Sequence, residues 1–280
     1  MGQIIACANQ KGGVGKTTTV VNLASYLALA GERVLVIDLD PQGNATSGLG
    51  VDRAPKRSVY DAVIDSVGLA DLSMPGPVDG LTVVPSSIAL AGAEVELAPL
   101  EQRERRLARL VTPVAGEYDY VLVDCPPSLG LLTVNALTAA DAALVPIQCE
   151  YYALEGLGQL LATVDLVRDH LNPSLTIKGA VLTMYDARTN LSAEVAREVR
   201  SHLPGHVFYT VIPRSVRLSE APSHGLPIHA YAPTSRGARA YEMLAAELRD
   251  LDGHARATRP PGATEPLLVE HGAVEAGVAA

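Results

Sequence analysis

The sequence predicts a single doubly wound α/β domain, a mostly parallel sheet with helices on both faces. Three observations predict it. Short, nearly continuous apolar runs recur at 3–8, 33–37, 81–85, 118–124, 142–147 and 177–184, several of them separated by stretches that read as helices. Such runs suit strands buried on both faces, as parallel sheets require. A glycine-rich stretch, Gln10-Lys11-Gly12-Gly13-Val14-Gly15-Lys16-Thr17-Thr18, joins the first run to a helical pattern. The 280 residues are 48% hydrophobic, with one Phe and no Trp, which is enough for one sizeable core.

The first strand covers 3–8, and its helix runs over 16–30 with Gly31 as a stop. Between them lies the strand–loop–helix setting in which a phosphate-binding loop has meaning. Gly12, Gly13 and Gly15 let backbone N–H groups turn inward around Val14, and the helix start directs its dipole at the same anion. Lys16 is placed to neutralise β- and γ-phosphate oxygens. Thr17 is placed to ligate Mg²⁺, and Thr18 adds a hydroxyl near the phosphates. An ordinary glycine-rich turn has no need of the Gly-Lys-Thr ending, so the loop is expected to bind a nucleoside triphosphate. Lys11 opens the loop too near its start to serve its own phosphates easily. It is either a solvated lysine or one that reaches the phosphates of a facing subunit.

The strand at 33–37 ends in Asp38-Leu39-Asp40-Pro41-Gln42-Gly43-Asn44. This is good turn chemistry, yet a turn alone does not ask for two aspartates beside a phosphate loop. Asp40 is a candidate to orient or deprotonate the attacking water, and Asp38 to support Mg²⁺. A helix follows over 58–67, then a loop at 74–77, a strand at 81–85 and a helical stretch over 89–111 interrupted by Pro99. The charge-rich 101–109 segment reads as a solvated face. The strand ending at Asp124 supplies the second metal-side carboxylate, and Pro126-Pro127-Ser128 makes a stiff loop suited to sensing a γ-phosphate.

After the strand at 142–147, a helix over 154–171 stops at Asn172-Pro173, and 177–184 is a further strand. From 186 to 239 there are seven arginines against four acids, a basic region in a chain of net charge −9. Arg188, Arg214, Arg217 and Arg236 lie in or beside expected loops, free to reach a phosphate backbone or simply solvated. His202 and His206 flank Pro204-Gly205, share no helix face and are not expected to bind metal. A helix over 235–251 closes a domain spanning 1–252. The 253–280 tail, with only Arg256 and Arg259 as basic residues, reads as disordered and not as a membrane anchor.

The negative charge gives no global attraction for DNA or anionic lipid, so nucleic-acid contact requires a local patch. Cys7, Cys125 and Cys149 lie in or beside strands with no C-x-x-C spacing, which favours reduced buried thiols and excludes an iron–sulfur site. No apolar run spans a bilayer, and Ala6 stands where myristoylation after Met1-Gly2 needs Ser or Thr. A soluble intracellular protein is expected.

With Lys11 at its head, the loop resembles the deviant phosphate-binding loop of the ParA/MinD ATPases. Over about 3–250 the chain is similar to the ParA/Soj chromosome-partitioning group. The resemblance is carried by this loop, by Asp38–Asn44, by Glu150-Tyr151-Tyr152-Ala153-Leu154-Glu155-Gly156 and by Ile212-Pro213-Arg214-Ser215-Val216-Arg217-Leu218-Ser219-Glu220-Ala221-Pro222-Ser223. It implies a Mg-dependent ATPase using ATP/ADP, with Lys11, Lys16, Asp40 and Asp124 in catalysis and Asp40 assigned to hydrolysis. It places Met184, Pro213 and Arg214 beside the nucleotide, Arg188 and Arg217 on non-specific DNA, and the 150–156 segment at a subunit interface. The implied partners are a second copy bound in the ATP state, DNA, and a ParB-type centromere-binding protein. The implied location is the cytoplasm, on the nucleoid. A loop opening at residue 10 leaves no room for an upstream helix-turn-helix domain, so operator binding is not expected. A relative that positions a protein cargo shares the same switch chemistry and stays open. A metabolic kinase or amidoligase would need an acceptor motif, and none is legible.

Overall fold

The computed structural model describes residues 2–52, 55–150, 153–203 and 205–253. Nearly all of the expected tail lies outside them, as do Tyr151 and Tyr152. The strands are β1 (Gln3–Cys7), β2 (Val34–Asp38), β3 (Met74–Pro75), β4 (Leu81–Val84), β5 (Tyr120–Asp124), β6 (Ala142–Gln148) and β7 (Thr176–Thr183). Among the described residues they form one sheet in the order β3-β4-β2-β5-β1-β6-β7. Every pairing is parallel except that of β3 with β4.

The apolar runs are explained by burial on both sides. Ile4, Ala6, Leu35, Ile37, Val121 and Val123 face one core, closed by the helices Val59–Asp65, Leu131–Ala139, Ala153–His170 and Asn190–His202. Ile5, Cys7, Val34, Val36, Tyr120 and Leu122 face the other, closed by Lys16–Leu29 and Arg236–Leu251. Each fully buried Leu, Ile or Val in these layers contributes about 1.5–3 kcal/mol relative to exposure.

Topology positions the site. From β1 the chain skips the place later taken by β5 and forms β2, so β2, β5 and β1 become neighbours. Their register pairs Cys7 with Asp124 and Asp38 with Asp124. Three adjacent strands therefore end at one level, and the loops beyond them share the crevice where open α/β sheets bind ligands.

Several local expectations are corrected. Met74-Pro75, expected as loop, adds a short antiparallel edge because Gly76 N–H donates to the Leu81 carbonyl at 2.8 Å. Pro75, with no N–H, fits only such an edge. The 89–111 stretch is a 3₁₀ turn (Ile88–Gly92), a helix (Ala93–Leu97), a second 3₁₀ turn (Arg103–Arg105) and a helix (Arg106–Val111). Pro99 and a left-handed Gln102 at φ 52° prevent a longer helix. Ser58 caps Val59–Asp65: its hydroxyl accepts from Tyr60 N–H, and Asp61 accepts from Ser58 N–H.

Candidate functional site

The phosphate loop is a turn the backbone enters only with glycine at set points. Gly13 and Gly15 hold φ of 75° and 91°, and Gly15 ends in this left-handed state at the N-terminus of the helix Lys16–Leu29. The loop is braced from β7 and β6. Thr183 Oγ1 donates to the Val14 carbonyl at 2.7 Å. Asn9 Nδ2 donates to the Pro146 carbonyl at 2.8 Å, while Asn9 Oδ1 accepts from Lys11 N–H at 3.0 Å. Lys16 is buried, its ammonium donating to the Lys11 carbonyl at 3.1 Å across the concave side of the loop. Lys11 itself lies outside that cradle, its ammonium 3.9 Å from Glu150.

The carboxylates beyond β2 and β5 differ in their satisfaction. Asp38 is fully buried, with Oδ1 accepting from Asp40 N–H at 3.1 Å. Its Oδ2 accepts from Thr46 N–H at 2.8 Å and Thr46 Oγ1 at 2.7 Å. Burial nonetheless pushes Asp38 up to about 6, against the pull of those hydrogen bonds. Asp40 is 7% exposed, its carboxylate accepts from Gln42 N–H at 2.9 Å, and its carbonyl accepts from Ser86 Oγ at 2.7 Å. Asp124 is fully buried, and neither carboxylate oxygen meets a hydrogen-bond donor. Burial raises it well above the carboxylate range, Asp38 and Asp40 add repulsion, and the nearby Thr17 hydroxyl and Lys16 charge oppose the rise. Thr17 stands close enough to act on Asp124 without completing ordinary hydrogen-bond geometry.

A buried carboxylate with two unpartnered oxygens, beside a hydroxyl, is a donor set for a hard divalent cation. Among the described residues no cluster of three or more His, Cys, Asp or Glu makes a self-sufficient metal cage. That fits Mg²⁺, which takes one or two carboxylates and completes its shell with water and phosphate oxygens. The cysteines supply no alternative: all three are free and buried, and burial raises their thiols, Cys149 to about 11.

A cavity of about 360 Å³ opens beside the loop, lined by Gly15, Thr18, Met184, Pro213, Leu218 and Tyr241 among others. Met184 holds a left-handed φ of 51°, uncommon for a residue with a side chain, and turns the chain at the cavity wall after β7. Of the expected nucleotide residues, Gly15, Thr17, Thr18, Met184, Pro213 and Arg214 line this one cavity.

The four arginines sit on three segments that touch. Tyr185 pairs with Pro213, and Arg214 N–H donates to the Tyr185 carbonyl at 3.2 Å, so the Arg188 loop lies beside the 212–217 segment. Leu218 packs on Gly237, which brings the short helix Val216–Glu220 against the start of Arg236–Leu251. Three arginines carry acidic partners: Arg188 with Asp186 at 2.7 Å, Arg217 with Glu220 at 2.9 Å, Arg214 with Glu150 at 3.2 Å. Hydrogen bonds from Arg188 hold Asp186 down at about 2, and the Arg214 charge adds to them. His202 pairs with Glu198 and His206 with Glu247, so neither imidazole joins the site. Sequence reasoning passed over Asn9, Thr46, Ser86 and Thr183, whose partners lie far away in sequence or carry no motif.

An AAA domain family model matches residues 2–177. The sporulation initiation inhibitor protein Soj of Bacillus subtilis is 58% identical over 249 residues, covering 89% of this chain and 98% of the relative. The chromosome partitioning protein ParA of Myxococcus xanthus is 51% identical, covering 90% and 89%. Among solved structures, cobyrinic acid a,c-diamide synthase from Mycobacterium smegmatis with bound ADP and magnesium superposes with TM-score 0.79 at 39% identity, covering 91% and 97%. The cell division ATPase MinD of Pyrococcus furiosus superposes with TM-score 0.75 at 28% identity, covering 90% and 100%.

Proposed function

The chain belongs to the Soj/ParA family of chromosome-partitioning ATPases, and on that premise we propose that it works as a nucleotide-controlled switch. Two copies close face to face over bound ATP, the closed pair holds DNA without sequence preference, and hydrolysis lets it go. A ParB-type protein at a centromere stimulates that hydrolysis. The observation that carries this reading is the division of labour between two lysines. Lys16 turns its ammonium back onto its own loop, at the Lys11 carbonyl, whereas the Lys11 ammonium is turned to Glu150 and partly exposed, accessible to the phosphates of a facing subunit.

The residues act as follows. Backbone N–H groups of 12–16 and the Lys16 ammonium grip the phosphates, and the cavity beside Met184 and Pro213 takes the base. Thr17 and Asp124 hold Mg²⁺, which when bound neutralises phosphate charge, while Asp38 organises the turn through Thr46 and Asp40. Asp40, fixed by Gln42 N–H and Ser86, orients the attacking water. Arg188, Arg214, Arg217 and Arg236 provide the cationic patch, which two copies would join into one surface. In cells this places the protein on the nucleoid.

Sedimentation with DNA in the presence of ATP tests the order of events. Lys16→Ala is expected to lose it. Asp40→Ala is expected to keep it while hydrolysis falls ~10²-fold or more. The opposite pattern would overturn the switch. The 39% identity to the diamide synthase favours a second reading, ATP turnover coupled to a carboxylic acid acceptor. Stimulation of turnover by DNA and a ParB-type protein, and not by such acids, separates the two.

A further inference from the structure

One carboxylate ties the phosphate loop to the arginine surface. Glu150 lies two residues beyond the end of β6, its N–H donating to the Gln148 carbonyl at 2.8 Å. Its Oε2 is 3.9 Å from the Lys11 ammonium, and its Oε1 accepts from the Arg214 guanidinium at 3.2 Å and from Gln148 Nε2. Lys11 heads the loop, and Arg214 belongs to the segment that walls the cavity and leads to Arg217. Glu150 has no place in the nucleotide cradle or the Mg²⁺ donor set, so its position calls for another account.

We propose that Glu150 is a positioning residue, a latch within one subunit that holds Lys11 inward until a partner subunit offers phosphate charge. This rests on the face-to-face reading given above. The geometry suits a releasable hold. The Lys11 and Glu150 side chains are 38% and 44% exposed, and 3.9 Å is a loose ion pair, so water takes part in the exchange. The partner's triphosphate carries several negative charges against the single charge of Glu150, and therefore wins Lys11 once the two faces meet. Departure of Lys11 strands no charge, because Arg214 and Gln148 remain on the carboxylate. The exchange also moves Glu150 from two cations to one, which tightens its hold on the Pro213–Arg217 segment and links loop state to the arginine patch.

The test compares Asp40→Ala with Asp40→Ala/Glu150→Gln and Asp40→Ala/Glu150→Asp, so that hydrolysis does not intervene. Light scattering with Mg-ATP reads the dimerisation constant, and ATP binding to dilute monomer reads the cradle alone. A solvated pair shifts an equilibrium by about 1.4- to fivefold, and a dimer holds two, so Glu150→Gln should strengthen dimerisation ~2- to 25-fold. Monomer affinity for ATP should stay unchanged, and Glu150→Asp, which keeps the charge, should fall between. Normal dimerisation by the parent with an unchanged or weaker constant for Glu150→Gln overturns the latch and leaves the switch standing. A parent that remains monomeric at saturating nucleotide overturns both. Should Glu150→Gln fail to bind ATP, the Glu150→Asp constant decides: dimerisation stronger than the parent's supports the latch, and an equal or weaker constant overturns it.

Discussion

Asp124 is buried and unbonded, repelled by Asp38 and Asp40 and favoured only by the neighbouring Thr17 hydroxyl and Lys16 charge. Unsatisfied buried polar groups cost about 1–3 kcal/mol, and a charged one costs more. Replacing it with the isosteric Asn removes the repulsion and gives the neighbouring carboxylates a donor. Asp124→Asn is therefore expected to melt higher than the parent without ligand, and to lose the extra stabilisation that Mg-ATP confers. A thermal melt with and without Mg-ATP checks this, and a lower apo midpoint would sink the argument. At this scale Lys16, Thr17, Asp38, Asp40 and Asp124 were legible because each stands at a strand end or loop position whose spacing has chemical meaning. Thr46 and Ser86 were not. They reach Asp38 and Asp40 from 8 and 46 residues away, through contacts that only the folded chain creates.

Elements were legible where burial is one-sided or complete over a short run. The helix Leu131–Ala139 escaped because it is apolar nearly all round, with Leu132, Ala136 and Leu137 buried and no polar face to set a period. The 89–111 stretch misled for the opposite reason: helix-forming residues are present, but Pro99 and the reversal at Gln102 divide them. Joins between elements were hidden altogether, and Gly237 is an example. A Cβ there would stand 2.8 Å from Leu218 Cγ, so the absence of a side chain is what lets the arginine-bearing Val216–Glu220 helix seat against Arg236–Leu251. Overpacking of this kind costs about 1–3 kcal/mol. Gly237→Ala is expected to lower the midpoint by roughly 2–10 °C and to loosen DNA retention while ATP binding persists, read by calorimetry and nucleotide titration. An unaltered midpoint would show that Leu218 shifts freely.

At the scale of the whole molecule, the proposed hold on DNA by a chain of net charge −9 would have to run through one corner. Of the four proposed DNA arginines, three are ion-paired with acids, and Arg236 alone has no ion pair among the described residues. On the proposed reading phosphates would have to displace those acids, so a moderate and reversible hold is expected. Arg217→Ala should lower the slope of log affinity against log salt by ~0.9 per lost contact, or about 2 for a dimer. Glu220→Gln should instead tighten binding about two- to fivefold. Filter binding across a salt series distinguishes these, and an unchanged slope for Arg217→Ala would remove that residue from the surface.

The margins of the sheet bear on the same point. On one side stands a two-residue strand containing Pro75, whose imide nitrogen has nothing to donate; on the other, β7 is partly occupied by Val207, which bridges Ala180. Neither flank offers a long bare template for strand addition. Side-by-side joining of copies through the sheet is thus discouraged at both described flanks, which leaves the proposed face-to-face pairing over bound triphosphate without a competitor there.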